Sequence, residues 1–260
     1  MIEALDVTYR AGGRALVSRL SATFEPGQLH LIIGPNGAGK STFIKLLSRL
    51  LRPAEGRVLY EGGDAASARE GDLAKRRAVL SQAVELAFPL TVREVVMMGR
   101  YPHFGGRPSH VDEAICDEVM GFFDVTGLAG RSYGTLSGGE KQRVNFARVL
   151  AQIWQPIAGA CRYLFLDEPL TFLDIRHQID FMKKVQSFGD APDILTVGVV
   201  HDLSLAARFA DRLILMSGGA IAAQGPSDAV LTPDLIRTVF EVEPIFLTDP
   251  SGQGVHLAFD

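Results

Sequence analysis

Apolar residues along the chain form short continuous runs, and amphipathic stretches alternate with them. The apolar and β-branched runs predict strands over 2–9, 15–24, 28–33, 57–60, 78–81, 163–166, 194–200, 212–216 and 220–223. Apolar residues at helical spacing predict helices over 42–51, 92–98, 110–123, 138–151, 176–188, 203–210 and 233–240. Alternating strands and helices indicate an α/β fold with a mainly parallel sheet.

One interval departs from this alternation. Residues 84–150 are rich in helix patterns and carry no convincing strand, so they predict a helical subdomain inserted into the α/β body. Residues 1–83 and 151–260 would form that body. The first two strands resemble a hairpin and predict a small antiparallel sheet beside the main one. We therefore expect residues 1–260 to form a single domain with these subdivisions.

Composition narrows the class of protein. Of 260 residues, 47% are hydrophobic, and the net charge of −4 gives no basic face of the kind a dedicated nucleic-acid binder needs. The start MIEALDVTYR lacks the pattern of a secretory signal, and no apolar stretch is long enough to span a bilayer. Cys116 and Cys161 have no metal-ligand spacing, so two free thiols in a reducing cytoplasm are the simplest interpretation.

The stretch GPNGAGKST at 34–42 follows a predicted strand and precedes a predicted helix. Its Gly-x-x-x-x-Gly-Lys-Ser spacing is that of a phosphate-binding P-loop, in which backbone N–H groups converge on an anion. Lys40 would reach the β- and γ-phosphates, and the Ser41 hydroxyl would ligate Mg²⁺. A plain glycine-rich turn is the alternative, but the strand before it and the helix after it favour nucleotide binding.

Two further motifs place polar groups where they could contact a nucleotide. YLFLDEP at 163–169 is an apolar strand that ends in two carboxylates. Asp167 would lie where a nucleotide's Mg²⁺ is held, and Glu168 would orient or deprotonate an attacking water. A solvated turn is the simpler alternative for these carboxylates. LSGGEKQR at 136–143 opens a helix with Ser137 as N-cap, which predicts a second anion-binding helix terminus.

Six features of the chain occur in order along the sequence: GPNGAGKST, Gln82, LSGGEKQR, YLFLDEP, Asp174 and His201. This is the motif order of an ATP-binding cassette (ABC) ATPase, which the chain resembles over nearly its whole length. The resemblance implies a P-loop NTPase fold of the ABC type, with a RecA-like parallel-sheet core, an antiparallel β subdomain and a helical subdomain. It also implies a homodimer in which each ATP lies between the P-loop of one copy and the signature LSGGE of the other.

The resemblance assigns roles by position. Glu168, His201, Gln82 and Lys40 would be catalytic, with His201 contacting the γ-phosphate, and Asp174 would communicate across the dimer. Mg²⁺ would be held by Ser41, Gln82 and Asp167. Tyr9 would stack on adenine, although it also reads as a tyrosine packed on the core. Phe172 departs from the small residues usual beside Asp174. The remaining contacts would come from Gly34, Pro35, Asn36, Gly37, Ala38, Gly39 and Thr42, and in trans from Leu136, Ser137, Gly138, Gly139 and Glu140.

Residues 87–103 resemble importer ATPases for iron–siderophores, cobalamin and haem, and 147–162, 174–178, 223–226 and 230–233 are similar to the haem group. This resemblance implies ATP hydrolysis at the cytoplasmic face of a bacterial inner membrane, coupled to two copies of a separate transmembrane permease. A periplasmic substrate-binding protein would act through that permease, and no nucleic acid would be bound. A siderophore or cobalamin importer is the alternative, and a non-transport cassette acting on DNA or ribosomes is the alternative of another class. A P-loop kinase or GTPase is disfavoured because LSGGE has no purpose there.

Overall fold

The computed structural model describes residues 1–80, 89–171, 173–248 and 255–259. Its strands are β1 (Ile2–Ala11), β2 (Arg14–Phe24), β3 (Leu29–Ile33), β4 (Glu55–Tyr60), β5 (Gly63–Asp64), β6 (Arg77–Leu80), β7 (Arg162–Asp167), β8 (Ile194–Val199), β9 (Arg212–Ser217), β10 (Ala220–Gly225), β11 (Pro244–Thr248) and β12 (Val255–Phe259). Its helices are α1 (Lys40–Leu47), α2 (Glu70–Arg76), α3 (Val92–Met98), α4 (His110–Phe122), α5 (Gly138–Gln152), α6 (Ile175–Gly189), α7 (Leu203–Phe209), α8 (Ser227–Val230) and α9 (Pro233–Phe240).

The main sheet has the order β10-β9-β3-β8-β7-β6, and only β10 runs antiparallel to its neighbour. Every residue of β3, β7 and β8 is buried, which explains why these strands read as continuous apolar runs. Since the three strands are parallel, their carboxyl ends at Ile33, Asp167 and Val199 lie along one edge of the sheet. The predicted α/β fold with a mainly parallel sheet is confirmed.

A second, antiparallel sheet has the order β2-β1-β4-β5. Gly12 and Gly13 connect β1 to β2, and both have the positive φ that a tight hairpin turn requires. Ile2 and Phe24 from this sheet share one apolar cluster with Phe43 of α1 and with residues of the main sheet. The predicted antiparallel sheet is confirmed, and it packs on the helix that follows GPNGAGKST.

Helices α3, α4 and α5 pack together over a second apolar cluster. At the end of α3, a Cβ on Gly99 would lie 2.0 Å from the carbonyl oxygen of Arg148 in α5. Glycine is therefore required here by the close approach of two backbones and not by its φ. This approach fixes the crossing of α3 and α5.

A buried ion pair reinforces this helix group. Nε of Arg100 lies 3.0 Å from Oδ1 of Asp112, and both side chains are almost completely buried. Burial raises the pKa of Asp112, but hydrogen bonds from Ser109 and Arg100 together outweigh it and hold the pKa below its usual value. Arg100 also donates to the carbonyl of Ala151. The charged pair therefore joins the end of α3 to α4 and α5.

Arg162, the first residue of β7, satisfies the end of α5. It donates through one terminal nitrogen to the carbonyls of Ile153 and Trp154, each at 2.7 Å. Its Nε and its other terminal nitrogen donate to the carboxylate of Asp193. Because helix C-termini leave carbonyls without intrahelical partners, Arg162 replaces the missing donors and anchors α5 beside the sheet.

The helix after GPNGAGKST is shorter than the sequence predicts. It ends at Leu47, whereas the apolar pattern continues to residue 51. Arg49 adopts a left-handed φ of 60°, and the N–H of Leu51 bonds to the carbonyl of Lys45. The chain therefore reverses at Arg49, after which Leu50 is exposed and only Leu51 packs partly against the core.

Helix α2, the strands β11 and β12, and the short elements β5 and α8 were not predicted. Helix α2 buries only Leu73, so it shows no apolar stripe, although Glu70 near its start and Arg76 at its end suit the helix dipole. The β11–β12 hairpin exposes residues 245–247 on β11, and it packs on α7 through bonds between Ser204 and the backbone of Leu257. The predicted strand over 78–81 is present as β6, although residue 81 lies outside the described residues.

Candidate nucleotide-binding site

The loop between β3 and α1 is shaped by glycine. Gly34, Gly37 and Gly39 all have positive φ, at 147°, 80° and 94°. A Cβ on Gly34 would lie 2.1 Å from the carbonyl oxygen of Met216, and one on Gly39 would lie 2.5 Å from that of Leu16. Glycine is therefore required at both positions for two reasons: the positive φ and the lack of space for a side chain.

The amides at the start of α1 are free to meet an anion. Gly39 is the N-cap and provides no side-chain hydrogen bond to the first turn, which contains Ser41 and Thr42. Asn36 and Gly37 are exposed at the tip of the loop, whereas Ala38 is buried beneath it. Since the first turn of a helix presents unpaired N–H groups and a positive dipole end, this loop forms a cradle for phosphate.

Lys40 lies across the inside of this loop. Its Nζ donates to the carbonyls of Gly34, at 2.8 Å, and Pro35, at 3.0 Å, and the residue is 5% exposed. Burial lowers the pKa of Lys40, whereas the nearby carboxylates of Glu168 and Asp167 raise it. The ammonium group of Lys40 is thus held between the loop and the carboxylates of Asp167 and Glu168.

Asp167 ends β7 at the same edge of the sheet. Burial raises the pKa of this carboxyl, and a hydrogen bond from the Ser41 hydroxyl is the largest opposing influence. Oδ1 of Asp167 is buried and has no hydrogen-bond partner among the described residues. An unpaired buried carboxylate oxygen costs about 1–3 kcal/mol or more, and a cation between Ser41 and Asp167 would satisfy it.

Glu168 and His201 face each other across the ends of β7 and β8. Nε2 of His201 lies 2.9 Å from Oε1 of Glu168. Glu168 has a φ of 53°, a left-handed conformation that is strained for a glutamate. The Thr171 hydroxyl donates to its carbonyl oxygen at 3.1 Å. The fold thus brings Lys40, Ser41, Asp167, Glu168 and His201 to one edge of the sheet.

The signature residues 136–140 form a separate feature. Ser137 caps α5 and forms a capping box with Glu140, and Leu136 is buried. A Cβ on Gly138 or Gly139 would meet nothing within 4 Å. Within the ranges described above, no hydrogen bond joins residues 136–140 to residues 34–42.

The other predicted site residues lie around this group. Tyr9 is half-buried on β1 and pairs with Val17 of β2, whose side chain lies close to Gly39. Asp174 is the N-cap of α6, and the His177 amide donates to it at 2.9 Å, which lowers the pKa of Asp174. Gln82 and Phe172 lie outside the described residues.

Gln142 was not predicted to belong to the site. Its Nε2 donates to the carbonyl of Pro169 at 2.8 Å, directly after Glu168. Nothing in LSGGEKQR distinguishes this glutamine from one that faces solvent, because its partner is 27 residues away in sequence.

A glycine cradle that opens a helix opposite strand-end carboxylates defines a P-loop nucleotide-binding protein. A family model described as ABC transporter matches residues 17–171, and the chain belongs to this family. It is an ABC-type ATPase that binds ATP, and the prediction from its motif order is confirmed.

Relatives and a solved structure agree with this assignment. The chain is 42% identical to a hemin import ATP-binding protein of Bordetella avium, over 98% of each chain. It is 43% identical to a protein of the same description from Rhizobium meliloti, over 92% of this chain and 91% of the relative. A chain in a solved structure described as an inward-facing conformation of a metal-chelate type ABC transporter shares the fold, with a TM-score of 0.83 at 20% identity over 100% of this chain and 96% of that one.

Proposed function

We propose that this chain is the ATP-hydrolysing subunit of a haem importer. The relatives described as hemin import ATP-binding proteins support haem as the cargo, since they match almost the full length. The subunit would act from the cytoplasmic face of a bacterial inner membrane on two copies of a separate permease, which a periplasmic substrate-binding protein supplies. No described helix is long and apolar enough to cross a membrane.

In this proposal, residues 34–42 bind the triphosphate and Tyr9 stacks on adenine. Lys40 neutralises phosphate charge once its hydrogen bonds to the loop carbonyls are exchanged for phosphate oxygens. Glu168 orients and deprotonates the attacking water, and His201 contacts the γ-phosphate. The single observation that carries the hydrolytic role is the 2.9 Å approach of His201 to Glu168. This contact supports a paired imidazole and carboxylate at the point where the terminal phosphate would lie.

Mg²⁺ fits the residues beside the loop. Ser41 and Asp167 would hold the ion, and Gln82 would complete the protein ligands. The unpaired buried Oδ1 of Asp167 supports this assignment. In the part of the chain that the structure describes, no group of three or more His, Cys, Asp or Glu side chains could hold a metal ion. Mg²⁺ does not need such a group, because it takes one or two protein ligands together with phosphate oxygens, whose charge it neutralises when bound.

Two copies would complete each other's sites. Gly138 and Gly139 lie in the first turn of α5 without positive φ and without a crowding neighbour, so nothing in the described fold requires glycine there. A phosphate approaching from a second copy would require it, because only bare amides allow close contact. Asp174 would lie at the same interface. Residues 84–150 would form the helical subdomain between this interface and the permease.

The cargo is tested in vesicles that contain the chain with its permease and are supplied with haem, a ferric siderophore or cobalamin. We expect ATP-dependent accumulation of haem that Glu168→Gln abolishes. Accumulation of the siderophore or cobalamin without haem would replace the proposed cargo. Hydrolysis stimulated by DNA or ribosomes but not by the permease would favour a non-transport cassette. In that case the importer assignment would be wrong.

A further inference from the structure

The loop that follows Glu168 is held from the signature helix. Nε2 of Gln142, in the second turn of α5, donates to the carbonyl of Pro169 at 2.8 Å, and this contact is partly shielded from solvent. Gln142 lies within about one and a half helical turns of Ser137 and Gly139, so it belongs to the same rigid segment as the signature amides. This hydrogen bond therefore connects the signature helix to the loop after Glu168, two parts of the site that the sequence predicts separately.

The held loop needs such support. Glu168 has a φ of 53° and directly precedes Pro169, and residues before proline are restricted to extended conformations. A strained backbone of this kind persists only where neighbours fix it. Among the described residues, Thr171 bonds the carbonyl of Glu168 and Gln142 bonds the next one. Pro169 has no N–H of its own to contribute.

Helix α5 can transmit a displacement along its length. At its far end, Nε2 of Gln152 donates to the carbonyls of Ala74 and Arg77, at 2.7 and 2.9 Å. The helix is thus fastened at one end to β6 and its preceding helix, and near the other end to the loop after Glu168. A shift of the N-terminus of α5 would therefore move the backbone at Pro169.

We propose that Gln142 is a positioning residue for hydrolysis, which links the signature helix to the loop that orients Glu168. When the signature amides engage a nucleotide on the second copy, α5 moves, and Gln142 carries the carboxylate of its own copy into place. This inference rests on the proposed hydrolytic function. It assigns to Gln142 no contact with ATP, and so separates the orientation of Glu168 from nucleotide binding.

The test uses the purified full chain with Gln142→Met, which keeps the length of the side chain and removes the donor. We expect kcat for ATP hydrolysis to fall about tenfold while KM for ATP stays within about twofold, because only an interaction that orients the chemistry is lost. Gln142→Lys, which restores a donor, should recover part of kcat. In a Glu168→Gln background, ATP-dependent dimers should form equally well with and without Gln142→Met.

Gln152→Met is the matched control, because it removes the same kind of bond from the same helix away from the loop. We expect it to lower the melting temperature without a selective loss of kcat. Gln142→Met with wild-type kcat, an equal loss in Gln152→Met, or lost dimers in the Glu168→Gln background would each overturn the inference. If the Gln142 variants gave one of these contrary results but Glu168→Gln still abolished hydrolysis, the inference about Gln142 would be wrong and the proposed function would stand. A wild-type chain without hydrolysis would overturn both.

Discussion

Replacing Gly139 with alanine should stabilise the subunit and yet inactivate it. A Cβ at this position would meet nothing within 4 Å, and the residue lies in α5 without positive φ. Alanine is favoured over glycine in helices by about 0.5–1 kcal/mol. For a chain of this size that free energy corresponds to a rise in melting temperature of about 1–4 °C. The added methyl group would cover amides that the proposed dimer presents to phosphate, so hydrolysis should fall at least about tenfold.

Thermal denaturation of the isolated chain and steady-state ATP hydrolysis measure the two effects. Gly121→Ala is the control, because Gly121 lies in α4 and a methyl group added there would also meet nothing within 4 Å. It should give a similar stabilisation with unchanged hydrolysis. If Gly139→Ala hydrolysed ATP at the wild-type rate, these amides would not bind phosphate. If it melted at a lower temperature, packing would explain the glycine instead.

Three further changes test the fold around the site. Gly99→Ala should destabilise by about 1–3 kcal/mol, measured by urea denaturation, because its methyl group would overlap the carbonyl of Arg148. Arg162→Met should lower the free energy of unfolding by about 2–3 kcal/mol, since it strands helix-end carbonyls and Asp193; no change would show that this anchor is redundant. The lowered pKa of Asp112 contributes stability above the usual carboxyl pKa of about 3.9, and this is lost as pH falls through the folded pKa. Denaturation between pH 5 and 3 should therefore show a flatter pH dependence for Asp112→Asn, and an unaltered slope would contradict this.

The strands that carry the site could be predicted because burial on both faces leaves a continuous apolar run, as in β3, β7 and β8. The elements that were missed lack that signal. Helix α2 buries one leucine, and β11 exposes three consecutive apolar side chains. The predicted end of α1 was wrong because Leu50 and Leu51 extend the apolar pattern past the left-handed residue Arg49, although Leu50 is exposed and Leu51 only partly buried.

The same limit applies to the site. The loop glycines and the strand-end carboxylates could be predicted because each motif is local in sequence. The approach of His201 to Glu168 could not be measured from spacing, since it depends on how β8 lies beside β7. The left-handed backbone of Glu168 and the bond from Gln142 to Pro169 leave no local pattern at all. Roles at Gln82, Tyr9 and Asp174 remain predictions.

The crowding of Gly34 against Met216 and of Gly39 against Leu16 joins the loop to both sheets at once. Because each sheet contacts one side of the loop, the conformational entropy of the loop is lost when the chain folds. It does not have to be lost again each time a nucleotide binds. We therefore expect the loop to keep its conformation on heating until the two sheets separate.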